Sequence, residues 1–229
     1  MTGNRNTIET LPLVSVILPT FQRAHLLPRS IASVVSQTLT NWELLIIDDG
    51  STDHTRQVVA PWCVQSPRIH YVPQPHRGVS AARNRGIAAA RGPYIACLDS
   101  DDEYHATHLA ARLKLLRDNS LDLIQGGFQV LGRPWVVDFF CPTQLIHLDD
   151  CVVGGTLFGR REVFTEMGGF HNVSYGEDCE FWLRAQQRFK VATFKHPVTY
   201  SLYETPHSLR MRQVEDWARR NNAAKEARR

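Results

Sequence analysis

Three short apolar runs, "LVSVILP" (13–19), "WELLIIDDGS" (42–51) and "YIACLD" (94–99), each stop in polar or acidic residues. Runs this brief, bounded by turn-forming residues, are the pattern of strands buried on both faces. Segments of helical character lie between them. In "AHLLPRSIASVVSQT" the apolar residues Leu27, Ile31, Val34 and Val35 recur at three- and four-residue steps and share one helical face. Ser51, Thr52 and Asp53 are natural caps for a helix through "TRQVVAPW", and "RIHYVP" has the character of a further strand. "GVSAARNRGIAAARG" is an alanine-rich helix closed by Gly92-Pro93. Strands alternating with helices require right-handed crossovers, so the class is α/β, a mostly parallel central sheet with helices on both faces. Ligands of such sheets bind beyond the carboxyl ends of the strands, where Pro19-Thr20, Asp48-Asp49 and Asp99 to Asp102 all fall.

Past Glu103, "EYHATHLAARLKLLRDN" has helical character, and "LDLIQGGFQVLG" and "RPWVVDFF" are two extended segments with a turn around Gly132. Residues 133–155 receive no assignment. "GTLFGRREVFTEMGGF" suggests strand, turn and glycine-stopped helix, "GEDCEFWLRAQQR" a helix with an acidic first turn, and "VATFKHPVTYSLYE" extended chain. The chain has 229 residues, 43% of them hydrophobic, and one compact domain is expected. Five cysteines without a CxxC pair fit neither a disulfide framework nor a zinc ribbon. The amino terminus lacks the apolar core of a signal peptide, and no apolar stretch approaches the roughly 20 residues that span a bilayer. A cytoplasmic location is therefore expected. Net charge is +3, but residues 209–229 carry seven Lys and Arg against three Asp and Glu, leaving the remainder near −1. So local an excess argues against nucleic acid as a partner.

Asp99, Asp101, Asp102 and Glu103 repel one another unless a cation sits among them. A divalent ion, Mn2+ or Mg2+, takes one or two protein carboxylates and completes its shell from phosphate oxygens. The competing reading is a solvated turn that caps the following helix. Glu177 and Asp178, likewise, are either an ordinary acidic first turn or a pair that supplies a general base. A carboxylate there is favoured in its charged form by the helix dipole.

The segments "VSVILPTFQR", "SQTLTNWELLIIDDGSTDHT", "GVSAARNRGIAAARGPYIACLDSDDEY", "GTLFGRREVF", "GGF" and "YGEDCEFWLR" occur in the order found in the inverting glycosyltransferases of family 2. The chain resembles that family over about residues 13–205. The resemblance implies the GT-A fold with a Rossmann-like nucleotide-binding half. It implies that Pro19, Thr20 and Phe21 line the nucleotide pocket, that Asp49 contacts the base, and that Asp99 and Ser100 contact the donor. Arg83 and Asn84 would lie beside the donor, Asp101 would be the principal metal ligand, Glu177 an acceptor-side residue and Asp178 the base. His207 is a second metal candidate, one position later in "YETPHSLR" than relatives place their histidine.

The implied donor is a nucleotide-diphospho-sugar, a UDP-sugar foremost, and the implied acceptor a glycan or lipid-linked sugar of surface polysaccharide synthesis. The expected organisation is a polar tail (1–12), a transferase domain (13–208) and a basic carboxyl-terminal helix or tail (209–229). In the last of these Met211, Val214, Trp217 and Ala218 lie together amid arginines, an arrangement suited either to packing on the domain or to an anionic membrane surface. The alternative function is a catalytically inactive sugar-nucleotide-binding relative. A phosphatase with a D-x-D nucleophile is disfavoured because the first strand ends in Pro19-Thr20 without an acid. A nucleotidyltransferase lacks its glycine-rich loop in "PTFQRAHLL".

Overall fold

The computed structural model describes residues 11–206 and 208–226. Its strands are β1 (Val14–Thr20), β2 (Trp42–Asp48), β3 (Ile69–Pro73), β4 (Tyr94–Cys97), β5 (Glu103–Tyr104), β6 (Leu123–Gly126), β7 (Phe128–Leu131), β8 (Trp135–Val137), β9 (Leu145–His147), β10 (Phe158–Arg160), β11 (Val191–Phe194) and β12 (Tyr200–Tyr203). Its helices are α1 (Leu27–Val35), α2 (Thr55–Gln65), α3 (Val79–Ala89), α4 (His108–Asp118), α5 (Arg161–Glu166), α6 (Glu177–Gln186) and α7 (Leu209–Glu226). Seven strands form the central sheet in the order β11-β6-β10-β4-β1-β2-β3. All run parallel except β10, which is antiparallel to both neighbours.

Every residue of β1 and β2 is buried, as their unbroken apolar character requires when helices cover both faces. Alternate side chains divide between two cores. Val14, Val16 and Leu18 meet Leu27, Ile31 and Val34 of α1 and Leu109, Leu113 and Leu116 of α4. Ile17, Leu45 and Ile47 meet Ala82 and Ile87 of α3, Phe164 of α5 and Phe181 of α6. Sheet growth reverses at β1, which has β2 on one side and β4 on the other. The crevice beyond the carboxyl ends of these strands is the topological switch point where such sheets bind ligands.

One expected element starts elsewhere. The helix anticipated directly after Glu103 begins at His108, because Glu103 and Tyr104 pair antiparallel with β12 and the Tyr104 ring is buried. The acidic turn therefore caps no helix. The two extended segments around Gly132 also divide earlier, at Gly126-Gly127, where β6 stays in the central sheet and β7 leaves for a three-stranded sheet with β12 and β5. The fully buried guanidinium of Arg112 holds this break by donating to the carbonyls of Gly126 and Gly127. The unassigned stretch contains the β8–β9 hairpin and two short turns of 3-10 helix, Leu148–Asp150 and Gly154–Thr156. The basic end of the chain is helical as α7 and lies against β8. Among the described residues no helix is long and apolar enough to cross a membrane. Residues 1–10 of the polar tail, and His207, lie outside the described residues.

Candidate active site

The ends of β1 and β2 form one wall of the crevice. Pro19 and Thr20 are buried, and Thr20 Oγ1 has no hydrogen-bond partner among the described residues. Phe21 emerges next and stacks on the His76 ring at 4.0 Å between centroids. Asp49 does not stand free at this wall. Its carboxylate accepts from Arg77 N (2.9 Å), Gly78 N (2.8 Å) and Gln74 Nε2 (2.6 Å), and His76 Nδ1 lies 2.8 Å away. Asp49 thus orders the 74–78 loop that carries the ring stacked on Phe21. Asp48 accepts from Ser51 N and from the Tyr71 hydroxyl.

The acidic cluster at the end of β4 splits into distinct roles. Asp102 is buried and accepts from Tyr200 OH at 2.6 Å and Tyr203 N at 2.8 Å. Burial foremost, then the charges of Asp101 and Asp99, push its carboxyl well above the usual range. Asp101 is partly open, and among the described residues its carboxylate accepts only from Thr205 Oγ1, at 2.6 Å. The carbonyls of Ser100 and Asp102 accept from Ser30 Oγ on α1 at 2.9 and 2.8 Å, which pins the turn. Ser100 is therefore seen to act through its backbone.

Arg83 joins this cluster to the other wall. Projecting from α3 and only 3% exposed, it donates to Asp99 Oδ1 (2.9 Å) and to Glu177 Oε1 (2.7 Å). Burial alone would lower its pKa, but Asp99 and Glu177 hold it above the ordinary arginine value. Asn84, one step round the same helix, points to a different task. Its amide donates to Phe170 O and accepts from Phe170 N, both at 2.8 Å, clamping the chain that leads to α6.

Beside Glu177, Asp178 Oδ2 accepts from Gly154 N and Oδ1 from Cys179 N, both at 2.8 Å. The helix dipole suggested a carboxyl held low, and the opposite holds. Burial above all, then the Glu177 charge, push Asp178 up to about 7, against the lowering pull of Arg83 and the two backbone donors. A carboxyl poised near neutrality suits proton abstraction better than one at its ordinary value.

Gly154 escapes sequence reasoning because it lies in the stretch without periodicity, and Gly155 enters it only as the first residue of "GTLFGRREVF". A Cβ on Gly154 would stand 2.9 Å from Arg83 Nη2, and one on Gly155 would strike the Tyr200 hydroxyl and lie 2.9 Å from Asp99 Oδ2. The adjacent glycines after "DCVV" are the signal that was available. Gly155→Ala is expected to lower stability by about 1–3 kcal/mol in urea unfolding, since a methyl must be forced into a packed site.

Among the described residues no group of three or more His, Cys, Asp or Glu is placed to hold a metal. The donor set still fits a hard cation of the kind that takes one or two carboxylates and fills its shell from phosphates. Asp101 is partly open, and Asp99 commits only Oδ1 to Arg83.

A model of the family described as Glycosyl transferase family 2 matches residues 15–140. The chain belongs to this family. An uncharacterized glycosyltransferase of Rickettsia felis is 34% identical over 178 residues, which are 74% of this chain and 29% of that protein. The UDP-Glc:alpha-D-GlcNAc-diphosphoundecaprenol beta-1,3-glucosyltransferase WfgD of Escherichia coli is 34% identical over 62% of this chain and 57% of its own length. TuaG of Bacillus subtilis, a glycosyltransferase assigned to teichuronic acid biosynthesis, is 33% identical over 75% of this chain and 71% of its own. The chain thus spans well under two thirds of the length of the first two. Among solved structures, S. aureus TarS 1-349 in complex with UDP-GlcNAc superposes with a TM-score of 0.72 at 18% identity, covering 85% of this chain and 59% of that one. The mannosyltransferase PcManGT from Pyrobaculum calidifontis, in complex with GDP-Man and Mn2+, gives 0.68 at 22% identity, covering 88% and 59%. These likenesses establish the GT-A architecture of the fold.

Proposed function

We propose that this chain transfers a sugar from a nucleotide-diphospho-sugar, a UDP-sugar foremost, to an acceptor hydroxyl with inversion at the anomeric carbon. The observation that carries the reading is the Arg83 bridge. One buried cation ties Asp99, on the donor side, to Glu177, the neighbour of a carboxyl held at about 7. The two halves of a displacement, a place for the leaving group and a base for the attacking hydroxyl, are thereby held in register.

Asp178 takes the proton of the acceptor hydroxyl as that oxygen attacks, and its hydrogen bonds from Gly154 N and Cys179 N fix the carboxyl plane. Pro19, Thr20, Phe21 and the loop ordered by Asp49 are assigned to the nucleotide, with the unpartnered Thr20 hydroxyl offering a hydrogen bond. Asp101, with Asp99, would hold Mn2+ or Mg2+, which when bound neutralises the departing diphosphate. The WfgD name, with its UDP-linked glucose donor and diphosphoundecaprenol acceptor, and the UDP-GlcNAc in TarS support a uridine donor and a glycan or lipid-linked acceptor. The GDP-Man and Mn2+ of PcManGT support the cation and keep guanosine as the competing base. The same reading places the chain in surface polysaccharide synthesis at the cytoplasmic membrane face. Exposed Arg212 and Arg220 on α7 would contact anionic lipid there.

Calorimetric titration of UDP, GDP and dTDP, with Mn2+ and with chelator, tests this. One nucleotide is expected to bind with metal only, and Asp101→Ala is expected to weaken that binding by about tenfold or more, the loss of a charged ligand contact. Failure of all three nucleotides to bind wild-type protein would refute the donor assignment.

A further inference from the structure

The stretch between β7 and the 3-10 turn at Gly154–Thr156 lies against the start of α6, beside Asp178. Tyr175 OH donates to Val137 O at 2.6 Å, and Phe139 packs on Gly176, whose φ of 72° and tight contact with that ring exclude a side chain there. Asp138 belongs to the same junction, since its charge, like that of Asp178, helps raise the Cys151 and Cys179 thiols behind the effect of burial. Phe140 is what this arrangement displays. Its backbone N–H donates to Asp138 Oδ1 at 2.8 Å, and its ring stands edge-on to Phe139 at 5.3 Å. Even so, Phe140 is 72% exposed.

Single exposed apolar residues are ordinary on a protein surface. This one is fixed at its backbone by a carboxylate and at its ring by a second aromatic that is anchored two residues from Asp178. A flat, positioned ring whose backbone is held by the Asp138 carboxylate matches a pyranose, whose C–H face stacks on an aromatic face while its hydroxyls seek acceptors. We propose that Phe140, held by Phe139 and Asp138, is the stacking platform for the sugar ring of the acceptor. The proposal rests on the transferase reading for Asp178 and names the acceptor's chemical class as a pyranose.

Saturation-transfer NMR with the methyl β-glycosides of glucose, galactose and N-acetylglucosamine tests it, alongside calorimetry with UDP and Mn2+. At least one glycoside is expected to receive saturation on its ring protons. Phe140→Ala should weaken that binding roughly tenfold, and Phe140→Tyr should restore it. UDP affinity should stay within about twofold in both variants, as for independent sites. Absence of transfer to all of the glycosides, or equal transfer in wild type and Phe140→Ala, overturns the platform. Loss of UDP binding in wild-type protein, with glycoside binding still dependent on Phe140, would instead sink the donor reading and leave the sugar site standing.

Discussion

Asp178→Asn is expected to slow sugar transfer by about 10²–10⁴-fold, the range for a positioned general base, while leaving nucleotide affinity within about twofold. The amide keeps the size of the side chain and removes its capacity to take a proton. A steady-state assay of UDP release from the sugar nucleotide that binds, paired with UDP calorimetry, separates the two effects. Equal losses in binding and turnover would place Asp178 in the donor pocket and end the division of roles argued from its position on α6. The substitution also reports on linkage. Because burial raises the Asp178 pKa from 3.8 to about 7, the folded state holds that proton more tightly than the unfolded chain does. The carboxyl's contribution to stability is therefore full below about pH 4 and is lost as pH rises through about 7. The stability of wild type relative to Asp178→Asn should accordingly fall over that interval.

Arg83→Met should be the most damaging substitution to the fold of the site, costing about 3–5 kcal/mol in urea unfolding, the range for breaking a buried ion pair by removing one partner. Asp99 and Glu177, with side chains 29% and 17% exposed, would be left facing each other and Asp178 without their cation. The Arg83 charge also pulls the Asp178 pKa down, so any active fraction of the variant should need a higher pH than wild type. Arg83→Lys keeps the charge but cannot fork to two carboxylates, and partial recovery of stability is expected. Retention of wild-type stability by Arg83→Met would show that the bridge does not hold the two walls together.

The centre of the sheet was legible because β1, β2 and β4 are buried on both faces and so leave uninterrupted apolar runs. Their acidic or polar ends marked the crevice for the same reason. What sequence could not show was how burial acts on particular groups. Asp178 sits in the first turn of a helix, a position that favours the charged form. Burial and the Glu177 charge reverse the shift against the pull of Arg83 and of Gly154 N, both remote in sequence. Asp101 and Asp102 are adjacent and chemically alike, yet pairing of β5 with β12 buries Asp102 against Tyr200 and leaves Asp101 partly open. Arg83 and Asn84 show the same limit. Helical rotation sends the first to the carboxylates and the second to the Phe170 backbone, and nothing in "AARNRG" says which faces the crevice.

The most direct test of the account is the pH dependence of kcat/KM for the acceptor, followed together with UDP affinity over the same range. The groups facing Asp178 are Glu177 and Cys179 on its own helix, Arg83 from α3, Tyr175 in the chain just before the helix and Cys151 from the neighbouring turn. Burial and the Glu177 charge hold Asp178 at about 7. The account predicts that kcat/KM climbs about tenfold per pH unit on the acid side, levels off above about pH 7, and that UDP affinity shows no matching limb. A flat profile from about pH 5 to 9, or a limb shared by nucleotide binding, would contradict it.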